Sequence, residues 1–458
     1  MKIFLKDIVE RYPEFEVLNY NENAFFSRFN HDSREIKQND LFVPLVGDRF
    51  DGHDFINEAL QKGSSISLCE NSKNSLLGDT DKPIILVDSI QEGLEKIINY
   101  SISPITAPIV AITGSTGKTT TKQMLVTILQ SQMNVLFSDK FNTVWGNAIL
   151  LSDYYNEDVV VLECGMDRKG EIAWHCNSFD PDLGILLNVG YVHAETLGGI
   201  ENVYQEKKNL ADYLDRCGKP LVLNIDDEWL VKIKDNYKSE LITVGKKSEA
   251  MFRFQNVDVS PDGTKFELIF EDNTYLVHIN VFGEELAYNA ASAIAAASRL
   301  GIDVDDAVNA IRAFQPNNGR FEAIELKENI ILVNDAYNAN PTSMRMSLNT
   351  FNRLYPSSLY HRIVILGDMK ELGDVSKNMH IQLGEFVKGF NFEQVFYIGD
   401  YFAEFKTGEK IDSPDEMAAG LVDILDEKKD KKIAILLKGS HSIGLYNIPD
   451  YLNKLGIN

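Results

Sequence analysis

Cysteine is scarce in this chain. The 458 residues hold four, Cys69, Cys164, Cys176 and Cys217, with no Cys-x-x-Cys pair. That is too few and too scattered for a disulfide framework, so free thiols in a reducing cytoplasm are expected. Positive charge is also short. Lys and Arg number 45 against 68 Asp and Glu, a net charge of −23, which excludes a nucleic-acid partner on bulk electrostatics and leaves room only for a local basic pocket that takes a nucleotide. Long apolar runs are missing as well. The N-terminal Met1-Lys2-Ile3-Phe4-Leu5-Lys6-Asp7 is too short an apolar stretch for a signal peptide. Nothing approaches the roughly 18 apolar residues that span a bilayer, so a cytoplasmic protein with no membrane insertion is expected. Internal repeats and low-complexity tracts are lacking too.

What is present is ordinary globular composition, 44% hydrophobic and 25% charged, at a length suited to about three domains. Residues 1–103 alternate short apolar runs (Leu41–Leu45, Ile84–Val87) with helical patterns. The stretch Ser101-Ile102-Ser103-Pro104-Ile105-Thr106-Ala107-Pro108 has two prolines and no period, and reads as a linker. From residue 104 to 314 the rhythm is βαβ. Ile109–Thr113, Val159–Leu162, Leu183–Leu187 and Leu221–Leu223 are continuous apolar runs of the kind a buried parallel sheet demands. Residues 251–283 break that rhythm with alternating strands and turns at Pro261-Asp262-Gly263 and Glu271-Asp272-Asn273, and predict antiparallel hairpins inserted in or edging the sheet. An Ala-rich helix, Asn289–Leu300, follows. In residues 315–458 four further runs, Ile330–Val333, Ile363–Leu366, Val395–Ile398 and Ile433–Leu437, predict a third, Rossmann-like α/β domain.

The strongest local signal is Gly114-Ser115-Thr116-Gly117-Lys118-Thr119-Thr120, between a strand and a helix. Backbone N–H groups of such a turn and helix N-terminus cradle phosphate oxygens. Lys118 reaches the β/γ-phosphates and the Thr119 hydroxyl suits Mg²⁺. Ile112 stands where a full Walker A loop has its first glycine, so this is a shortened form. Glu163 and His193 also fall at or near predicted strand ends, where ligands collect in open α/β sheets, and join Thr119 as metal candidates. A phosphate loop alone does not separate a kinase, a GTPase and a ligase.

The segment Ile112–Lys122 resembles the phosphate-loop motif of the Mur ligases, and the resemblance continues in order along the chain. His31-Asp32-Ser33-Arg34 and Asp40–Leu45 through Gly52–Phe55 look like the nucleotide-sugar domain. Glu163-Cys164-Gly165 with Gly170-Glu171-Ile172, and Asn188-Val189-Gly190-Tyr191-Val192-His193, look like the second and third central motifs. Asp335–Met344, Leu366–Gly373 and Leu437–Ser442 look like the C-terminal ones. These last three are most similar to the branch that joins D-alanyl-D-alanine to UDP-N-acetylmuramoyl-tripeptide. The DNPR-type motif of the branch that adds the third residue is not in this sequence.

The resemblance implies an ATP-dependent, Mg²⁺-requiring ligase of peptidoglycan precursor synthesis, acting as a monomer through an acyl phosphate. It implies three domains: 1–103 for the UDP-sugar, with Ser33 and Arg34; 104–314 for ATP, on a central P-loop-type parallel sheet; and 315–458 for the incoming amine, with Tyr337, Asn338, Asn340 and Ser343. It further implies Asn289 near the adenine, Arg320 near the phosphates, Asp335 near the ribose, and Asn142 and Thr143 on the sugar-peptide. Lys118, His193 and Lys207 are the implied catalytic residues, Lys207 as a carbamate that joins Thr119, Glu163 and His193 at the metal. Several positions depart from the family pattern. Thr143 follows Asn142 where asparagines are paired, and the proline near Asn147-Ala148 is replaced. Asn209 replaces an acidic residue, Tyr288 a histidine and His441 an arginine. These departures keep open a second reading, a related amide ligase acting on another UDP-linked or non-wall peptide.

Overall fold

The computed structural model describes residues 2–47, 50–315, 321–327, 329–404, 408–428 and 431–457. Two compact units emerge. One comprises Met1–Thr113, Gln132–Ile185 and Asn209–Pro220, the other Gly114–Ser131, Leu186–Lys208 and Leu221–Asn458.

The first unit opens with a five-stranded sheet in the order Glu16–Leu18, Ile84–Val87, Ile66–Glu70, Asp40–Phe42, Arg28–Asn30, antiparallel only at the first pairing. Phe42, Ile56, Leu60, Cys69 and Ile84 form its core. Asp40 is only 1% exposed, and its burial is tolerated because its carboxylate is hydrogen-bonded and paired with Arg28. It accepts from Arg28 Nε and Nη2 at 2.9 and 2.7 Å, from Asn30 Nδ2 at 2.8 Å and from Lys37 N at 2.8 Å. Helix Ile90–Ile102 runs through Ser101 and Ile102, so the two-proline linker begins only at Ser103. Beyond it, Val159–Glu163 pairs in parallel with Ile109–Thr113 on one side and Val135–Phe137 on the other. Every residue of Ile109–Thr113 and Val159–Glu163 is buried, as the apolar runs require. Glu163 is therefore the last residue of its strand rather than the first after it.

In the second unit Leu221–Asn224 and Leu241–Gly245 are parallel, and Phe252–Ser260 extends them in parallel before turning into an antiparallel meander with Gly263–Phe270 and Asn273–Ile279. These are the hairpins expected in 251–283. The first turn needs glycine: Gly263 has φ +117°, and a Cβ there would lie 2.2 Å from the Ile279 carbonyl. The Ala-rich helix runs Glu285–Arg299 and packs along the phosphate-loop helix Lys118–Leu129. Its small side chains permit the close approach.

A six-stranded sheet completes this unit, in the order Glu322–Lys327, Ile330–Asn334, Ile433–Lys438, His361–Gly367, Gln394–Ile398, Glu409–Lys410, parallel except at the first pairing. Both faces are covered. Met344, Leu348, Phe351 and Leu383 lie on one, and Met417, Leu421, Leu425 and Leu452 on the other. The antiparallel edge strand Glu322–Lys327 is of mixed polarity, so a search for continuous apolar runs does not find it.

Candidate active site

The phosphate loop follows a buried strand and ends at the left-handed Gly117, φ +83°, which caps helix Lys118–Leu129. Its shape is set by Asn188. The Asn188 side-chain oxygen accepts from Thr116 N at 2.9 Å and Thr116 Oγ1 at 3.2 Å, while its amide donates to Thr116 O at 3.1 Å. The Asn188 carbonyl accepts from Ser115 N at 3.0 Å. Ser115 Oγ accepts from Gly190 N at 2.7 Å and donates to Gly190 O at 3.1 Å. Asp227 holds the other side of this segment by accepting from Val189 N at 3.0 Å. The first and third central motifs are thus one hydrogen-bonded object. Lys118 Nζ donates to the Gly114 carbonyl at 2.8 Å, within the same loop.

Asn289 sits against this loop and is 6% exposed. A Cβ on Gly117 would lie 2.6 Å from its side-chain oxygen. Gly117→Ala therefore meets both an adverse φ and a collision. It is expected to weaken ATP binding at least tenfold, or about 1.4 kcal/mol, in a nucleotide titration. Gly170→Ala is the control: its φ is +91° but nothing lies within 4 Å of a Cβ, so it carries only the backbone cost of roughly 1–2 kcal/mol in stability.

Lys207, on helix Ile200–Arg216, is 2% exposed. It is not the solvated helical lysine that its neighbour Lys208 suggests. Burial first, and then the positive charge of Lys118, hold its ammonium pKa well below the usual lysine range, against an opposing pull from Glu206. His193 adopts φ +54° and starts the short helix Ala194–Leu197. Its Nδ1 lies 2.7 Å from Glu371 Oε2, and this hydrogen bond holds the Glu371 carboxyl below its ordinary range.

In the first unit, Thr113 Oγ1 donates to the Cys164 carbonyl at 2.9 Å, and Asn147 Nδ2 donates to the Glu163 carbonyl at 3.1 Å. Asn142 is exposed and its carbonyl accepts from Gly165 N at 2.7 Å. Behind this turn, burial pushes His175 down to about 4 while backbone hydrogen bonds at Asn142 and Gly165 pull the other way. Thr143 Oγ1 caps helix Val144–Leu151 by accepting from Gly146 N. In the nucleotide-sugar segment, Asp32 takes a bidentate grip on the exposed Arg34 at 2.8 and 2.6 Å, which lowers the Asp32 pKa to about 2. Ser33 is buried, and its carbonyl accepts from Lys62 Nζ at 3.1 Å.

The C-terminal candidates gather at strand ends. Asp335 accepts from Phe321 N at 3.1 Å and from Lys438 Nζ at 2.9 Å, and Lys438 also donates to the Asn338 carbonyl at 3.0 Å. Asn340 and Ser343 form a reciprocal capping box at the start of helix Pro341–Leu354, so their side chains are engaged with the backbone. Tyr337 is 51% exposed and lies edge-on to His441, which stacks on Tyr446 at 4.4 Å. Arg320 lies outside the described residues. Asn188, Glu371 and Lys438 are the residues that single-position reasoning overlooks. Each lies inside a recognised motif, and for Asn188 and Lys438 the signal is a polar side chain at or just beyond a strand end.

Among the described residues, no three His, Cys, Asp or Glu side chains converge as a ready-made metal cage.

Comparison with known proteins agrees along the whole length. The Mur ligase middle domain matches residues 112–297, the Mur ligase, glutamate ligase domain matches 319–440, and the Mur ligase family, catalytic domain matches 27–101. The UDP-N-acetylmuramoyl-tripeptide–D-alanyl-D-alanine ligase of Bacillus subtilis (strain 168) is 31% identical over 370 residues, covering 80% of this chain and 79% of that protein. The MurF ligase of Thermotoga maritima, solved in complex with ADP, superposes with a TM-score of 0.82 at 29% identity over 93% of this chain and 97% of that one. MurF of Acinetobacter baumannii gives 0.90 at 22% identity over 99% of each chain, a likeness of fold. The chain belongs to the Mur ligase family, as a MurF-like member with that family's three-domain α/β fold.

Proposed function

We propose that this protein joins D-alanyl-D-alanine to UDP-N-acetylmuramoyl-tripeptide at the expense of ATP, in the cytoplasm, as a monomer, and so serves peptidoglycan synthesis, cell shape and division. The supporting observation is the buried Lys207 with its depressed ammonium, close to the phosphate-loop lysine, in a chain whose relatives bear that ligase's name. Among the described residues no helix is long and apolar enough to cross a membrane.

In this reading the tripeptide's terminal carboxylate attacks the γ-phosphorus of ATP. The bond to ADP breaks and an acyl phosphate forms. The dipeptide amine then attacks the acyl carbon, phosphate leaves, and the amine gives up a proton. Gly114–Thr120 cradle the phosphates, with Lys118 on the transferred group. When bound, Mg²⁺ offsets charge that builds on the phosphate oxygens. Thr119, His193, Lys207 and Glu163 are its proposed ligands. Asn289 and Asp335 serve the nucleoside and Arg320 the phosphates. Ser33, Arg34, Asn142 and Thr143 serve the UDP-sugar peptide. Tyr337, Asn338, Asn340 and Ser343 serve the amine, the last two by shaping the helix start. The division 1–103, 104–314 and 315–458 assigns these three tasks.

The test is phosphate release from ATP and Mg²⁺ with the two substrates added singly and together. Release only with both, with a new amide product by mass, is expected. ATP binding without release for this pair overturns the substrate assignment. It would favour a related ligase with another acceptor or donor, for which the Asn142-Thr143, Asn209 and His441 departures are the place to look.

A further inference from the structure

We infer that Glu371 is a positioning residue for His193: its carboxylate keeps the imidazole proton on Nδ1 and thereby presents Nε2 as the electron-pair donor of the phosphate-transfer centre. The inference rests on the function proposed above.

The contact is His193 Nδ1 to Glu371 Oε2 at 2.7 Å. An ionised carboxylate only accepts, so Nδ1 carries the hydrogen, and in the neutral ring Nε2 carries the lone pair. A free imidazole in water prefers the opposite tautomer. A carboxylate on one nitrogen is the usual device for orienting a histidine whose other nitrogen faces a metal.

The backbone on both sides is held in unusual shape for this contact. His193 and Glu371 are both non-glycine residues in the left-handed region, at φ +54° and +65°. Both are strained conformations for a residue with a Cβ, and such residues persist where the surroundings impose them. The surroundings are visible. Glu195 N donates to the Glu371 carbonyl at 3.3 Å. Gly373, at φ +58°, lies against Glu195, where a Cβ would stand 3.0 Å from Glu195 Cα. The Glu371 side chain is 58% exposed and that of His193 25%, so the pair adds little to stability. Two strained residues supporting a weak surface pair make poor sense as a folding device and good sense as a way to aim a ring.

The location adds a consequence. Glu371 belongs to the Leu366–Gly373 motif of the domain proposed to receive the amine, whereas His193 ends the motif that shapes the phosphate loop. The orientation of a ligand for phosphate transfer is thus supplied from the amine-binding domain.

The experiment uses the full-length protein with ¹⁵N-labelled histidine, the His193 signals being assigned by their loss in His193→Asn. Long-range ¹H–¹⁵N correlation reads the tautomer without substrate, and Mn²⁺ titration with a non-hydrolysable ATP analogue reads the metal side. Wild type is expected to show the Nδ1–H form. Glu371→Ala is expected to shift it to Nε2–H and to weaken Mn²⁺ binding 10–100-fold. Glu371→Gln keeps an acceptor, and is expected to retain the Nδ1–H form and most of the metal affinity. An unchanged tautomer in Glu371→Ala overturns the inference. So does a shifted tautomer with wild-type Mn²⁺ affinity, which would leave a structural pair only. Because the tautomer is read without turnover, loss of phosphate release in wild type with the tautomer result intact would count against the ligase reading alone.

Discussion

Lys207→Ala is expected to lower kcat by roughly 10²–10³-fold while ATP still binds. The reason lies in what the surroundings favour. Lys207 is 2% exposed, and burial and the Lys118 charge both work against its ammonium form. A neutral amine can attack carbon dioxide: the Nζ–C bond forms, one proton leaves to water, and the side chain ends as a carbamate. That reverses the sign of the charge. The same Lys118 that repels an ammonium attracts a carbamate, so the pocket favours the anion. Lys207→Arg keeps the positive charge and cannot form the carbamate, and is expected to be as inactive as the alanine variant. Wild type in ¹³C-bicarbonate should give a carbamate carbon signal that Lys207→Ala lacks. Wild-type kcat in Lys207→Ala would remove the residue from the mechanism. An inactive alanine variant with no carbamate signal in wild type would keep the residue as an amine and discard the modification.

Much of this was legible before any coordinates, because buried parallel strands advertise themselves as apolar runs. Ile109–Thr113 and Ile433–Leu437 are buried throughout, and the phosphate loop falls at the strand–helix junction where its glycines place it. The alternation in 251–283 also translated directly into hairpins. Most of what escaped depends on contacts between residues distant in sequence. Lys207 and Lys208 are adjacent lysines on one helix, and only tertiary packing buries the first and leaves the second partly exposed. Asn340 and Ser343 look like substrate-binding polar residues, yet Asn340-Pro341-Thr342-Ser343 is also a capping box with proline at the first helical position, and that local signal had physical content of its own. Glu371 and Lys438 act across large sequence separations, 100 residues from Lys438 to Asn338 and wider still from Lys438 to Asp335 and from Glu371 to His193, and no periodicity reports such a pairing.

Lys438→Met is the most informative stability test, because it removes one half of a buried pair. The Lys438 side chain is 5% exposed and that of Asp335 17%. Lys438 Nζ ties the Asp335 carboxylate, at 2.9 Å, to the Asn338 carbonyl, at 3.0 Å. Breaking such a pair costs about 3–5 kcal/mol, because the remaining charge stays buried. The partial exposure of Asp335 places the expected loss near the lower end, about 3 kcal/mol, read from urea unfolding. Glu285 sharpens the effect. Burial first, with the Asp335 charge adding to it, pushes its carboxyl up to about 7 against the opposing pull of Lys438, so losing Lys438 removes a cation that acts on both carboxyl groups. The loss of stability is therefore electrostatic, and Asp335→Asn in the same chain should recover more than half of it. The amine site should behave differently. The Tyr337–Asn340 turn loses its lysine donor in both the single and the double variant, so KM for the dipeptide should rise in both, by roughly tenfold for one lost hydrogen bond to a charged group. Recovery of stability without recovery of KM would identify Lys438 as the strut of the amine-binding turn. Recovery of both would make it a counter-ion for Asp335 and nothing more.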